Sequence, residues 1–116
     1  VKEYTEWTGG SIILEEGAVL NLGSDAKLSG VTIEGKGLLI ICGDLHNTNC
    51  TWKFPNLKIA GKVPQSISGA DIRTENLTLE NTSKSGITLQ TKLQYQGEKR
   101  SNEGKISGSD QISALS

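Results

Sequence analysis

The segment 43–55 brings together the types of side chain that bind ligands. It holds the only histidine of the chain, His46, the only phenylalanine, Phe54, and one of the two tryptophans, Trp52. An aromatic face beside amide and charged groups can bind a sugar through ring packing and hydrogen bonds. We therefore predict a ligand-binding set of Asp44, His46, Asn47, Trp52 and Lys53. In the alternative interpretation, Leu45, Trp52 and Phe54 fold this segment back and cover the sheet beneath it.

Glutamates at matching positions suggest a second chemistry, cleavage of a glycosidic bond. Glu34 and Glu80 occupy the same position of two similar heptads, 30–36 and 76–82. If these heptads stack two coils apart, their carboxyl groups lie about 10 Å apart, at the upper limit for an inverting glycosidase. The alternative is an ordinary solvated strand face.

Asp71 is the third catalytic candidate. It alternates with Arg73 and Glu75, so the three side chains are expected to share one face of a strand. A polysaccharide lyase needs acidic calcium ligands beside a basic group, and this trio has that composition. The alternative is a surface row of ion pairs, which contributes little to stability.

Cys42 and Cys50 are the only cysteines. In an oxidising compartment they are candidates for a disulfide at the base of segment 43–55. In a reducing compartment they would be small core residues. There is no C-x-x-C pair, and His46 between the cysteines gives three ligands at most. We therefore predict no metal site and no cofactor.

The composition bears on the classes of partner and fold. The chain has 12 Lys and Arg against 13 Asp and Glu, so it lacks the basic excess of a nucleic-acid-binding domain. It has no apolar run long enough to cross a bilayer, so no membrane span is predicted. Aromatic residues make up only 4 % of the chain, which disfavours a compact aromatic-centred sandwich core.

The elements that must position these side chains are short β-strands. Apolar-polar-apolar triplets recur along the chain, and most are followed by Gly or Asn. One series of triplets begins at Ile12, Val31, Leu57 and Leu77, and a second begins at Leu20, Leu39, Ile67 and Ile87. The spacing within each series is regular except for one longer interval, between its second and third members. This pattern predicts one insertion in one repeat.

Repeats of about 20 residues are too small to bury their own apolar faces, so they must stack on one another. We therefore predict an all-β fold, a short parallel β-helix (solenoid) of about four to five coils. The alternative is a small antiparallel β-sandwich in which the triplets are successive strands of a meander. The solenoid is favoured because the two series stay in step, which a meander does not require.

The runs 7–22 and 28–35 resemble the opening coils of right-handed parallel β-helix proteins, and 72–81 with 86–89 resembles an interior coil. These proteins form the pectate-lyase-like superfamily, which includes bacterial surface proteins and phage tailspikes. The resemblance implies a role directed at carbohydrate: pectate cleavage, polysaccharide hydrolysis or attachment to a glycan. Members of the superfamily have many more coils than four or five, which favours a non-enzymatic role here.

The predicted organisation has three parts. Residues 1–11 form an N-terminal cap with Trp7 over the first coil, and residues 12–96 form the coils, with an insertion loop at 43–55. Residues 97–116 are a polar extension or a degenerate last coil. Because a short stack has two open ends, we predict self-association or a larger parent chain.

The expected function is a non-enzymatic structural or adhesion module. The family resemblance and the composition place it outside the cell, at the cell surface or on a virion. Its expected partner is a polysaccharide or surface glycan, bound through segment 43–55. The alternative is a carbohydrate-active enzyme, or a fragment of one, that uses Glu34, Glu80 or Asp71.

Overall fold

The chain is a stack of parallel β-coils. The structure, a computed structural model, describes residues 4–101 and 105–115. Every strand pair recorded in this part of the chain is parallel. The chain passes through five full coils and part of a sixth. The predicted all-β solenoid of four to five coils is confirmed, and the antiparallel sandwich is excluded.

Each full coil carries three strands. Coil 1 holds β1 (Tyr4–Thr8), β2 (Ser11–Leu14) and β3 (Val19–Leu22). Coil 2 holds β4 (Asp25–Ser29), β5 (Thr32–Gly35) and β6 (Leu38–Ile41). Coil 3 holds β7 (Leu45–Thr48), β8 (Thr51–Lys53) and β9 (Asn56–Gly61). Coil 4 holds β10 (Gln65–Gly69), β11 (Ile72–Thr74) and β12 (Leu77–Asn81). Coil 5 holds β13 (Ile87–Gln90), β14 (Leu93–Tyr95) and β15 (Lys99–Ser101). The partial coil holds β16 (Ile106–Ser107), a 3₁₀ turn (Ser109–Gln111) and β17 (Ile112–Ala114).

The strands stack into three faces. Sheet A consists of β1, β4, β7, β10, β13 and β16, and sheet C consists of β3, β6, β9, β12 and β15. The third face is divided into sheet B (β2, β5 and β8) and sheet D (β11, β14 and β17). The side chains alternate between the interior of the solenoid and the solvent along most of the strands, as in β7, β9 and β12.

The prediction of an insertion loop at 43–55 is wrong. These residues form β7 and β8, where Leu45 pairs with Ala26 and Trp52 pairs with Ile33 in regular register. The long interval in each triplet series arises because the series passes from one face of the solenoid to the next. The first series starts in sheet B and continues in sheet C, and the second starts in sheet C and continues in sheet A. Moving on by one strand adds about a third of a coil to the apparent spacing.

The core consists of columns of apolar side chains that run through the coils. In sheet C, Leu20, Leu39, Leu57 and Leu77 lie in register, and the last three are fully buried. Burying such a side chain stabilises the fold by about 1.5–3 kcal/mol. The next residue in this column is Lys99, so the apolar column ends at coil 5.

The N-terminal region differs from the predicted cap, whereas the C-terminal region follows the predicted alternative of a degenerate last coil. Residues 4–8 of the predicted cap form β1, a regular strand of sheet A, while residues 1–3 lie outside the described residues. Trp7 pairs with Leu28 but remains 37 % exposed. At the other end, β16 and β17 pair with β13 and β14, so this part of the 97–116 region continues the coils.

Polar side chains inside the solenoid bond to the main chain at its corners. The Gln65 amide donates to the carbonyls of Ile41 and Gly43, and its oxygen accepts from Asn81. Within the described residues, every buried side-chain nitrogen and oxygen has a hydrogen-bond partner. These bonds join neighbouring coils where the strands end, and they hold the corners in fixed positions.

Candidate functional site

Two residues of the predicted ligand-binding set lie inside the solenoid. Trp52 is only 4 % exposed, and its indole Nε1 donates to Asn47 Oδ1 at 3.2 Å. Asn47 is fully buried, and its amide donates to the carbonyls of Ser68 and Ala70. Neither side chain can contact a sugar, so Trp52 and Asn47 are removed from the set. The neighbouring Leu45 is also fully buried, as the alternative of a segment packed on the core requires.

Asp44 and His46 are exposed on the outer side of sheet A. The His46 ring lies between two hydroxyl groups, with Nδ1 2.9 Å from Ser68 Oγ and Nε2 3.3 Å from Thr48 Oγ1. The Asp44 carboxylate accepts the Ser66 main-chain N–H at 2.8 Å, so it helps to hold the corner before β10. Together they border a shallow depression of about 360 Å³ that has hydrogen-bonding capacity, and its lining includes no Phe, Tyr or Trp.

The predicted carboxylate pair does not form. Glu34 lies in β5 of sheet B, whereas Glu80 lies in β12 of sheet C, so the two side chains project from different faces. Each carboxylate instead has a cationic neighbour: Glu34 is 3.7 Å from Lys53, and Glu80 is 2.9 Å from Lys58. The two heptads resemble each other because all three faces of the solenoid have the same alternating pattern.

The predicted Asp71 trio is divided between two places. Asp71 and Arg73 are exposed beside a depression of about 330 Å³, and Arg73 Nε donates to Gln94 Oε1 at 3.4 Å. Glu75 lies at the next corner, where its Oε2 accepts from Gln96 Nε2 at 2.6 Å. Within the described residues, no three His, Cys, Asp or Glu side chains converge as metal ligands.

Both cysteines are free thiols, so the candidate disulfide is not formed in this structure. Cys42 follows β6 at the corner between sheets C and A, and its Sγ is 3.4 Å from Asn21 Oδ1. Cys50 lies between β7 and β8 and packs against the core. The two thiols therefore belong to different corners of the solenoid.

A further depression runs along another corner, where the chain leaves sheets B and D and enters sheet C. We call it the corner groove, and it has a volume of about 610 Å³. Of the predicted set, Lys53 alone lines it. The groove crosses four successive coils, and the side chains that line it are Glu16, Lys36, Lys53, Phe54, Asn56, Glu75 and Asn76.

Phe54 is the aromatic residue of the corner groove. It is half-buried, but it does not belong to the apolar residues that form or cover the core. Its φ angle is +58°, which places a bulky side chain in the left-handed region. Such a conformation costs about 1–3 kcal/mol, and conformations of this kind cluster at binding sites. The Phe54 ring therefore lies outside the apolar core, in a backbone conformation that the surrounding structure has to hold in place.

Asparagines form the floor of the corner groove. Asn56 Nδ2 donates to the Lys36 carbonyl at 3.0 Å, and Asn76 Nδ2 donates to Asn56 Oδ1 at 3.0 Å. The Asn76 Oδ1 in turn accepts the Glu98 main-chain N–H at 2.8 Å. This ladder connects the corners of coils 2 to 5, so the groove is held by hydrogen bonds along its length.

The charges along the groove favour binding over cleavage. Lys36 and Lys53 lie between Glu16 of coil 1 and Glu75 of coil 4. Three coil spacings separate the corners that carry the two glutamates, which is about 14 Å. Glycosidase carboxyl groups lie about 5–10 Å apart, so this pair is too widely spaced for that chemistry. The arrangement is suited to holding an elongated, polar ligand.

The sequence contains a signal for this groove that the triplet pattern does not use. Glu16, Lys36, Asn56 and Asn76 follow one another at equal intervals, each the length of one coil. Polar residues spaced by one coil stack at the same corner of a solenoid. A search for hydrogen-bonding residues at the repeat period would therefore have found four of the groove residues.

No family model, curated protein or solved structure matches the chain. In the described part of the chain, no helix has the length and apolar character needed to cross a membrane.

Proposed function

We propose that the protein is a non-enzymatic structural or adhesion module that binds a polysaccharide or surface glycan along the corner groove. The observation that carries the proposal is the half-buried Phe54 ring, held at positive φ in a groove lined by charged side chains. An aromatic ring packs on the apolar face of a sugar, while charged groups hydrogen-bond its hydroxyl groups.

The proposal extends to family and location. We assign the chain to the right-handed β-helix proteins of the pectate-lyase-like type, and to the cell surface or a virion. Support comes from the parallel solenoid fold together with the resemblance of segments 7–22 and 72–81 to β-helix coils. The enzymatic alternative has less support, because Glu34 and Glu80 project from different faces and are paired with lysines.

Affinity electrophoresis in gels cast with bacterial and plant polysaccharides tests this function. We expect retardation in at least one gel, and a loss of affinity of about tenfold or more in Phe54→Ala, which corresponds to about 1.4 kcal/mol. Lys53→Ala should weaken binding, whereas Lys84→Ala removes the same charge from an exposed turn outside the groove and should leave it unchanged.

Two results would contradict the proposed function. Unchanged mobility of the wild-type chain in every gel would argue against glycan binding. Binding that is lost in His46→Ala but kept in Phe54→Ala would move the ligand to the outer side of sheet A.

A further inference from the structure

We propose that the depression between β8 and β11 binds a free α-amino acid, a ligand that carries one carboxylate and one ammonium group. We call it the break pocket. It has a volume of about 330 Å³ and is lined by Cys50, Thr51, Trp52, Ala70, Asp71 and Arg73. This volume is at the lower end of the range for small-molecule sites. The inference does not depend on a ligand in the corner groove, which lies at the other ends of β8 and β11.

The break pocket lies where the third face of the solenoid is interrupted. Between coils 3 and 4, β7 pairs with β10 in sheet A and β9 pairs with β12 in sheet C, but β8 and β11 belong to separate sheets. Main-chain hydrogen bonds from Ala70 to Asn47 and from Glu75 to Pro55 join the two coils on either side of the interruption. The interruption is therefore confined to this one pair of strands.

The interruption directs polar main-chain groups into the pocket. The Thr51 N–H donates to coil 2, so the next N–H of the strand, that of Trp52, is directed towards coil 4. The Ile72 N–H donates to coil 5, so the Asp71 carbonyl on the other side of the same trans peptide is directed towards coil 3. Within the described residues, no hydrogen bond joins the Trp52 N–H to the Asp71 carbonyl. One donor and one acceptor are therefore available to a ligand.

The backbone is irregular on both sides of β8. Asn49 precedes this three-residue strand and Phe54 follows it, with φ angles of +51° and +58°. They are the two non-glycine residues with a positive φ in the described part of the chain. Such conformations are uncommon and are found preferentially at binding sites and ligand clamps. The interruption therefore coincides with a segment that the rest of the solenoid holds in an unfavourable conformation.

Two side chains of opposite charge line the pocket without pairing. Asp71 and Arg73 are both exposed, and in the part of the chain that the structure describes neither forms a salt bridge. The Arg73 Nε donates to Gln94 Oε1 at 3.4 Å, which leaves the two terminal nitrogens of the guanidinium group for a ligand. A guanidinium group binds a carboxylate through two parallel hydrogen bonds.

A ligand with both charges suits this pocket better than a ligand with one. A simple anion would be repelled by Asp71, and a simple cation would be repelled by Arg73. In an α-amino acid, the carboxylate can accept from Arg73 and from the Trp52 N–H. Its ammonium group can donate to the Asp71 carboxylate and to the Asp71 carbonyl. The side chains and the main chain of the pocket therefore match the same two groups of the ligand.

An amide-resolved NMR titration of the isotope-labelled chain with L-alanine, propionate and ethylamine tests the site. Propionate has the carboxylate of alanine without its ammonium group, and ethylamine has the ammonium group without the carboxylate. We expect L-alanine to shift the main-chain amide resonance of Trp52 saturably. Its affinity should exceed that of either single-charge probe by about tenfold or more.

Two variants remove the charges of the pocket one at a time. Arg73→Gln and Asp71→Asn should each weaken L-alanine binding by about tenfold or more. Because both side chains are exposed, the far-UV circular dichroism and the retardation in polysaccharide gels should stay those of the wild type. Arg100→Gln and Asp110→Asn are the matched controls, since these residues are exposed outside the pocket, and they should leave binding unchanged.

Three results would overturn the proposal. The first is the absence of a saturable shift of the Trp52 amide with L-alanine. The second is an affinity for propionate or ethylamine equal to that for L-alanine, since the pocket would then not select a ligand with both charges. The third is L-alanine binding that survives both Arg73→Gln and Asp71→Asn, or that is weakened as much in the two control variants.

Discussion

Two neighbouring aromatic residues of coil 3 have opposite roles. Trp52 points into the solenoid, where its indole N–H donates to buried Asn47, whereas Phe54 lies at the corner beside charged groups. The change of direction takes place at Phe54 itself, because its positive φ turns the chain after Lys53. The Trp52 side chain therefore stabilises the fold from inside, whereas Phe54 lies at the surface in a backbone conformation that is itself unfavourable.

At Phe54, we predict that stability and binding separate. Asn adopts positive φ readily, so Phe54→Asn removes the strain of about 1–3 kcal/mol that offsets the packing of the half-buried ring. The free energy of unfolding in urea should change by less than about 1 kcal/mol, while retardation in the polysaccharide gel is lost. A loss of stability of about 3 kcal/mol or more would instead identify Phe54 as a core residue.

At Trp52, we predict a large loss of stability. Trp52→Ala should lower the free energy of unfolding by about 3–5 kcal/mol, because it creates a cavity and leaves Asn47 Oδ1 without its donor. Trp7→Ala is the control, and it should cost less than about 1 kcal/mol because the ring is partly exposed at the end of the stack. Urea unfolding followed by far-UV circular dichroism measures both changes, and equal losses would contradict the burial difference.

At the scale of the elements, positions at the ends of the strands tolerate substitution less well than exposed positions within the strands do. Gly69 ends β10 with a φ of +107°, and a Cβ atom there would overlap the Asn47 carbonyl oxygen of the neighbouring coil. Gly17 also has a positive φ, +87°, but has open space around it. Substitution of the two glycines therefore distinguishes the cost of backbone strain alone from the cost of strain together with a clash between coils.

We predict that Gly69→Ala lowers the free energy of unfolding by at least about 3 kcal/mol, because strain and overlap add. Gly17→Ala should cost only about 1–2 kcal/mol, the strain of an alanine in the left-handed region. Denaturant titration of the two variants measures the difference. Equal effects would show that the coils can separate at this corner without cost.

The sequence predicts the parallel solenoid because the triplets recur at the length of a repeat. It does not show to which face of a coil each triplet belongs. Each coil repeats the same alternation three times, so Leu57 of sheet C matches Val31, which directly precedes β5 of sheet B, as well as it matches Leu39. This ambiguity produced both the false insertion and the Glu34–Glu80 pair. The sequence does not decide whether Trp52 is buried, since an indole in an Asn-rich segment suits either a surface or the core.

At the scale of the whole molecule, the apolar columns of the core do not run through every coil. In coil 5, Lys99 and Ser101 occupy the columns to which Leu77 and Leu79 belong in coil 4, and both are exposed.

The regular register also has a mechanical consequence. Paired strands lie one coil apart along the chain, so each coil is held by the coil before it and the coil after it. If tension is applied to the two ends of the chain, one coil can unfold while the others remain stacked. Each event would release about 20 residues, or about 70 Å of chain. The chain would therefore lengthen under tension in small steps, one coil at a time.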